Sequence, residues 1–155
     1  MLLNLLIATI LGAILGLERE LRHKPGGVKT NALVSMASCA FVLIVKNVDA
    51  SETARVMTGI IQGVGFIGGG LILKAEKNTK NVTGATEIWV SSAIGLSCSV
   101  GLWDLALALL LLSLIILRTM RVYFPNKNHP ESPQFNIRIG NKSNTRDKRK
   151  QGEEE

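Results

Sequence analysis

Apolar residues in this chain come in blocks, and short charged loops separate the blocks. A soluble domain mixes apolar and polar residues on the scale of one helical turn, whereas a chain written in such blocks crosses a lipid bilayer several times. The partition is sharp. Of the first 117 residues 65 are apolar, against 7 of the last 38, and thirteen of the 15 glycines also lie before Leu117. A soluble enzyme is excluded as the leading class. So is a disulfide scaffold, because two cysteines cannot staple such a chain.

The first block, residues 1–17, would span about 25 Å as a helix, near the lower limit for crossing a bilayer. It has no basic leader and no small-residue cleavage site, so it is expected to persist rather than to be removed as a signal peptide. Further blocks cover residues 31–45, 57–73, 85–102 and 105–117. Joined into one helix, the last two would reach roughly 50 Å, too long for a hydrocarbon core of about 30 Å. A hairpin at Gly101-Leu102-Trp103-Asp104 resolves this, with the Trp103 indole at the interface. The sequence therefore predicts an all-α, multi-pass transmembrane bundle of five helices over residues 1–122. A polar, largely disordered tail is expected over 123–155. Residues 135–139 alternate like a strand, but one strand cannot form a domain.

Charge sets the orientation. Sixteen of the 18 lysines and arginines fall in the first loop, the third loop (Lys74, Lys77, Lys80) or the tail, and only Lys46 and Arg55 fall elsewhere. With five helices these three regions share one side, which the positive-inside rule assigns to the cytoplasm, leaving the N-terminus outside. The net charge of +6 thus encodes topology, and no nucleic-acid partner is expected.

Six glycines crowd the third block: Gly59, Gly63, Gly65, Gly68, Gly69 and Gly70. In a soluble helix each costs about 1 kcal/mol relative to Ala, but in a bilayer small residues four apart let helices approach closely. Gly59/Gly63, Gly65/Gly69, Gly12/Gly16 and the Ser91/Gly95/Ser99 column fit that spacing and are expected to be packing contacts. The alternative is an unwound stretch at Gly68–Gly70 beside an ion path. Gln62 is expected to bond a neighbouring helix.

Ionisable residues inside a membrane are functional suspects, and Glu87 is one. It lies on the same side as the basic first loop and is predicted to pair with a base there, Arg19 before the others. The alternative is a solvated carboxylate at a helix start. In the loop itself, Pro25 should end the first helix, Gly26-Gly27 should turn the chain, and Thr30 or Asn31 should cap the second helix. Catalysis finds no footing. His23 and His129 are far apart, Cys39 and Cys98 read as small apolar fillers, and no Ser/His/Asp or metal-spaced set appears. Asp49, Glu52 and Asp104 could at most gather a weakly held, hydrated Mg²⁺. No catalytic residue, metal or cofactor is expected.

Three segments together resemble the MgtC/SapB family of bacterial inner-membrane proteins. They are Gly16-Leu17-Glu18-Arg19-Glu20 with Lys24-Pro25-Gly26-Gly27-Val28-Lys29-Thr30-Asn31, then Gly63-Val64-Gly65-Phe66-Ile67-Gly68-Gly69-Gly70, then Val82-Thr83-Gly84-Ala85-Thr86-Glu87-Ile88-Trp89. Gly26 stands where the family usually has Ala, Asn31 where it has His, and Gly84 and Glu87 where small or hydroxyl residues are usual. The resemblance implies a multi-pass protein associated with growth under low magnesium and, in pathogens, with survival inside host cells. It also implies action on other membrane complexes, including the F-type ATP synthase, more than pumping. Larger members carry a soluble C-terminal domain, which a tail this short and polar is not expected to form. The motif residues it marks are Glu18, Arg19, Glu20, Lys24, Pro25, Gly26, Gly27, Lys29, Thr30, Asn31, Glu87 and Trp89. The expected function is a non-enzymatic membrane regulator that contacts another membrane protein. The alternative is a small cation (Mg²⁺) transporter or channel component built as a homo-oligomer around the glycine-rich helix.

Overall fold

The structure, a computed structural model, describes residues 1–73 and 81–123, with side chains as far as residue 119. Lys74, Lys77 and Lys80 of the third loop, and the polar tail from residue 124 with its strand-like stretch, lie outside the described residues. The described chain forms α1 (Leu2–Glu20), α2 (Val28–Val48), a short 3₁₀ turn (Ala50–Glu52), α3 (Thr53–Leu73), α4 (Val82–Ser99) and α5 (Trp103–Tyr123). Five helices and no strand are found among the described residues. Leu2–Glu20, Val28–Val48 and Ala50–Leu73 are long and apolar enough to cross a membrane.

The helices outrun the apolar blocks that announce them. Apolar composition marks hydrocarbon depth, whereas backbone hydrogen bonding continues past it. α1 therefore carries Glu18, Arg19 and Glu20 in its last turn, and α2 begins at Val28 rather than Asn31. α1 nevertheless ends at Glu20, ahead of the positive φ of His23 (51°) and short of Pro25, the residue expected to end it. Between α4 and α5, Gly101 adopts a φ of 81°. Its N–H bonds the Cys98 carbonyl at 3.1 Å while Leu102 N–H bonds that of Ser97 at 3.0 Å. That pair of bonds is a Schellman stop, which needs the left-handed backbone that glycine adopts without strain. The predicted hairpin forms there.

α4 is the centre of the bundle and touches every other helix. Being shielded from lipid, it can be polar inside: Ser91, Ser92, Ser97 and Ser99 are buried. Hydroxyls join it to its neighbours. Ser91 Oγ donates to the Asn31 carbonyl at 2.7 Å, the Ser38 and Ser92 hydroxyls lie 2.8 Å apart, and Ser35 Oγ of α2 donates to the Ala8 carbonyl of α1 at 2.8 Å. Leu15, Cys39, Leu43, Ile94, Cys98 and Leu110 fill the apolar core between α1, α2, α4 and α5. Leu6, Ile10, Leu111 and Ile115 are exposed around it, a surface matched to acyl chains rather than to water.

Close packing uses some of the predicted glycines. A Cβ at Gly12 would lie 2.7 Å from the Asn31 carbonyl oxygen, and one at Gly16 would lie 2.6 Å from that of Gly27, so α1 and α2 meet backbone to backbone. A Cβ at Gly95 would collide with the Ser35 carbonyl. The third-helix glycines differ from the expectation. At Gly59, Gly63, Gly65, Gly69 and Gly70 a Cβ would meet no atom of the described residues within 4 Å outside its own stretch of helix, and of the six only Gly68 rests on a neighbour, Ala85. α3 turns Val64 and Gly68 inward and leaves these five glycines without a neighbouring helix against them. A four-residue spacing defines a helix face but cannot say what the face meets. Gln62 is likewise exposed and bonds no neighbouring helix among the described residues, contrary to expectation. Nor is α3 unwound at Gly68–Gly70; it stays helical to Leu73.

Gly95→Ala is therefore expected to destabilise the protein by about 1–3 kcal/mol, the usual cost of over-packing. Gly63→Ala should leave thermal stability in detergent unchanged. Equal effects at the two positions would contradict this placement of α3.

Candidate functional site

The last turn of α1, the loop after it, and the first turns of α2 and α4 meet at one end of the bundle, and they bring Arg19 and Glu87 together. Arg19 Nη1 lies 3.0 Å from Glu87 Oε2, with both side chains 4% exposed. Arg19 Nε and Nη2 donate to the Pro25 carbonyl oxygen at 2.9 and 2.7 Å. The positive φ of Gly26 turns the chain at this point. A Cβ at Gly84 would run into the guanidinium, so that glycine leaves the room in which Arg19 lies. Gly84 and Glu87 are three apart and share one face of α4, so a single helix turn supplies both the space and the counter-charge.

Asn31, fully buried, completes the cluster. Its Nδ2 donates to the carbonyls of Gly26 at 2.7 Å and Gly27 at 3.2 Å. The cap expected of Thr30 or Asn31 is not made: Gly27 is the N-cap of α2, without a side-chain bond. A capping side chain must accept from a backbone N–H, whereas Asn31 donates back into the loop. Glu20 meets the helix start instead. Its Oε2 accepts from Val28 N–H at 3.2 Å, placing a carboxylate at the positive end of α2. A Cβ at Gly27 would displace that carboxylate. Within this cluster, Asn31 Oδ1 and both oxygens of Glu87 stay without a directed hydrogen bond among the described residues, and Glu87 is held through the charge contact of its Oε2 with Arg19.

The remaining motif residues lie outside this knot. Lys24, Pro25, Lys29 and Trp89 are exposed, and Thr30 is half-buried. Glu18 pairs with Arg22 one turn on, and both line a cleft of about 380 Å³ with Leu21, Leu114 and Arg118. At the opposite end, the Asp49 carboxylate accepts from Ser51 N–H at 2.9 Å and Ser51 Oγ at 2.6 Å, bonds that hold it below the usual carboxylate range. Asp49, Glu52 and Asp104 do not gather; among the described residues no three His, Cys, Asp or Glu side chains come close enough to hold a metal. Sequence reasoning missed the parts played by Gly84, Glu20 and Ser91. For Gly84 a signal existed, its three-residue spacing from Glu87.

Chemically the cluster is a neutral, buried ion pair whose arginine also grips a loop carbonyl. Such a pair holds three chain segments in one geometry. It offers no nucleophile.

The MgtC family model matches residues 5–123. Protein MgtC of Salmonella typhimurium is 37% identical over 106 residues, covering 68% of this chain and 46% of that protein. An uncharacterized protein of Synechocystis is 39% identical over 105 residues, 66% of this chain and 44% of its own length. Protein MgtC of Brucella abortus is 38% identical over 96 residues, 61% of this chain and 40% of its own. The chain thus spans less than half the length of these curated relatives. No solved structure matches it.

Removing one member of a buried pair strands the other, at about 3–5 kcal/mol. Glu87→Gln and Arg19→Gln should each destabilise strongly, and the double variant should cost clearly less than their sum when unfolding is followed in detergent. Additivity within about 0.3–0.5 kcal/mol would contradict a direct pair.

Proposed function

The chain belongs to the MgtC family, and from that premise we propose a non-enzymatic regulator that acts on another membrane complex during adaptation to low magnesium. The observation that carries the reading is how the motif residues divide. Arg19, Gly26, Asn31 and Glu87 are turned inward to fix the loop, while Lys24, Lys29 and Trp89 are exposed around it. A rigid loop with two exposed bases, and an exposed indole further along α4, is a surface for contact with a partner. The F-type ATP synthase is one partner that the family resemblance implies.

The rival reading, an oligomeric Mg²⁺ transporter, needs polar groups that line a path. The hydroxyls of Ser35, Ser38 and Ser91 instead bond neighbouring helices, which favours packing over conduction. The setting proposed is the bacterial inner membrane, with the N-terminus outside and the loop after α1 in the cytoplasm, on the distribution of basic residues.

Affinity isolation of the tagged chain from native membranes, read by mass spectrometry, should recover a stoichiometric membrane partner. Lys24→Glu with Lys29→Glu should lose that partner while leaving thermal stability intact. Recovery of the chain alone, together with Mg²⁺ uptake by reconstituted vesicles, would contradict the proposal and support transport. In intact cells a cysteine placed at Ser51 should react with an impermeant thiol reagent and one at His23 should not; the reverse pattern would overturn the orientation.

A further inference from the structure

α2 and α3 are consecutive, yet they part from each other along much of their length. Between them runs a groove of about 870 Å³. Its walls are apolar: Leu33, Phe41 and Ile44 on α2, Ile60 and Ile67 on α3. The gap exists because Gly59 and Gly63, which line it, carry no side chain, and a Cβ at either would meet no atom of the described residues within 4 Å outside its own stretch of helix. Ser38 also lines it, but its hydroxyl is taken by Ser92. The walls therefore offer van der Waals contact and little hydrogen bonding.

One charged residue lines the groove. Arg55 lies in the first turn of α3, at the end away from the Arg19–Glu87 cluster, and is 83% exposed. Its Nε pairs with Glu52 Oε2 at 3.1 Å, in an exposed i,i+3 arrangement. Exposed pairs of this kind are weak and exchangeable, so the guanidinium stays available to a stronger anion. Arginine matches a phosphate through two parallel N–H bonds.

A long apolar trough with one cation at its mouth is complementary to an amphiphile with an acyl chain and an anionic head. We infer that the α2–α3 groove is a binding site for an anionic phospholipid, its acyl chain lying along Gly59 and Gly63 and its phosphate on Arg55. A gap opening sideways into a bilayer meets lipid before anything else, and filling it restores contacts that an empty gap forfeits. The leaflet is the one that faces the turn between α2 and α3. Gly59 and Gly63 then have a use that needs no second helix.

The test is native mass spectrometry of the full-length chain in detergent, with phosphatidylglycerol and phosphatidylcholine of identical acyl chains supplied in equal amounts. The wild-type chain should retain one phosphatidylglycerol, in about fivefold preference over phosphatidylcholine, the effect of one base near an anionic headgroup. Arg55→Gln should bring the two lipids to equal retention. Gly63→Leu and, independently, Gly59→Leu should fill the groove and lose both lipids while melting at the wild-type temperature. Equal retention of the two lipids by the wild-type chain would overturn the inference, as would undiminished lipid on a folded leucine variant. Failure of both leucine variants to fold would show that the gap is not open, which would overturn it too. A wild-type dimer that carries no lipid and dissociates in Gly63→Leu would assign the groove to a second copy instead.

Discussion

Two opposite charges removed from water must stay together, and the loop end of this bundle is organised around that requirement. Arg19 and Glu87 are each almost fully buried, where an unpaired charge would be far costlier than at a surface. Because Arg19 stands at the end of α1 and Glu87 in the second turn of α4, keeping them paired fixes the distance between the two helices. Because Arg19 also holds the Pro25 carbonyl, it fixes the loop as well. Asn31 then ties the loop to the start of α2 through Gly26 and Gly27. Three chain segments depend on one guanidinium.

The rest of the bundle is consistent with that anchor. α1 and α2 can converge on it only if their backbones approach closely, which Gly12 and Gly16 permit. α4 can sit among them only if its inward face is small, which Gly84, Ser91 and Gly95 supply. Interhelical bonds from serine hydroxyls to carbonyls replace the hydrophobic drive that is missing between helices in lipid. α3, by contrast, buries little beyond Val64 and Gly68, and its outward side is left for lipid.

Much of this is legible in the sequence for a physical reason. Apolar blocks report bilayer depth directly, so the five helices and the Gly101 hairpin follow from hydropathy and length. The Arg19–Glu87 pair is legible because a carboxylate at the edge of an apolar segment has few ways to be neutralised, and the nearest bases lie on the same side. Helix ends are less legible: hydrogen bonding carries α1 through Glu20 and starts α2 at Val28, beyond what hydropathy marks. The α3 glycines mislead because spacing names a face without naming its neighbour. Asn31 looks like a cap because its position near the helix start is right, but the direction of its hydrogen bonds is set by tertiary contacts.

The central claim is that the buried pair holds the loop in place. Hydrogen exchange of the full-length chain tests it directly, at the amides of Lys24, Val28 and Asn31, which bond Arg19 O at 3.1 Å, Glu20 Oε2 at 3.2 Å and Gly27 O at 3.1 Å. In the wild-type chain these amides should exchange slowly. In Glu87→Gln they should lose protection together and by a larger factor than amides in the middle of α4 and α5. Unchanged protection at the three amides, or a uniform loss across all five helices, would contradict the account.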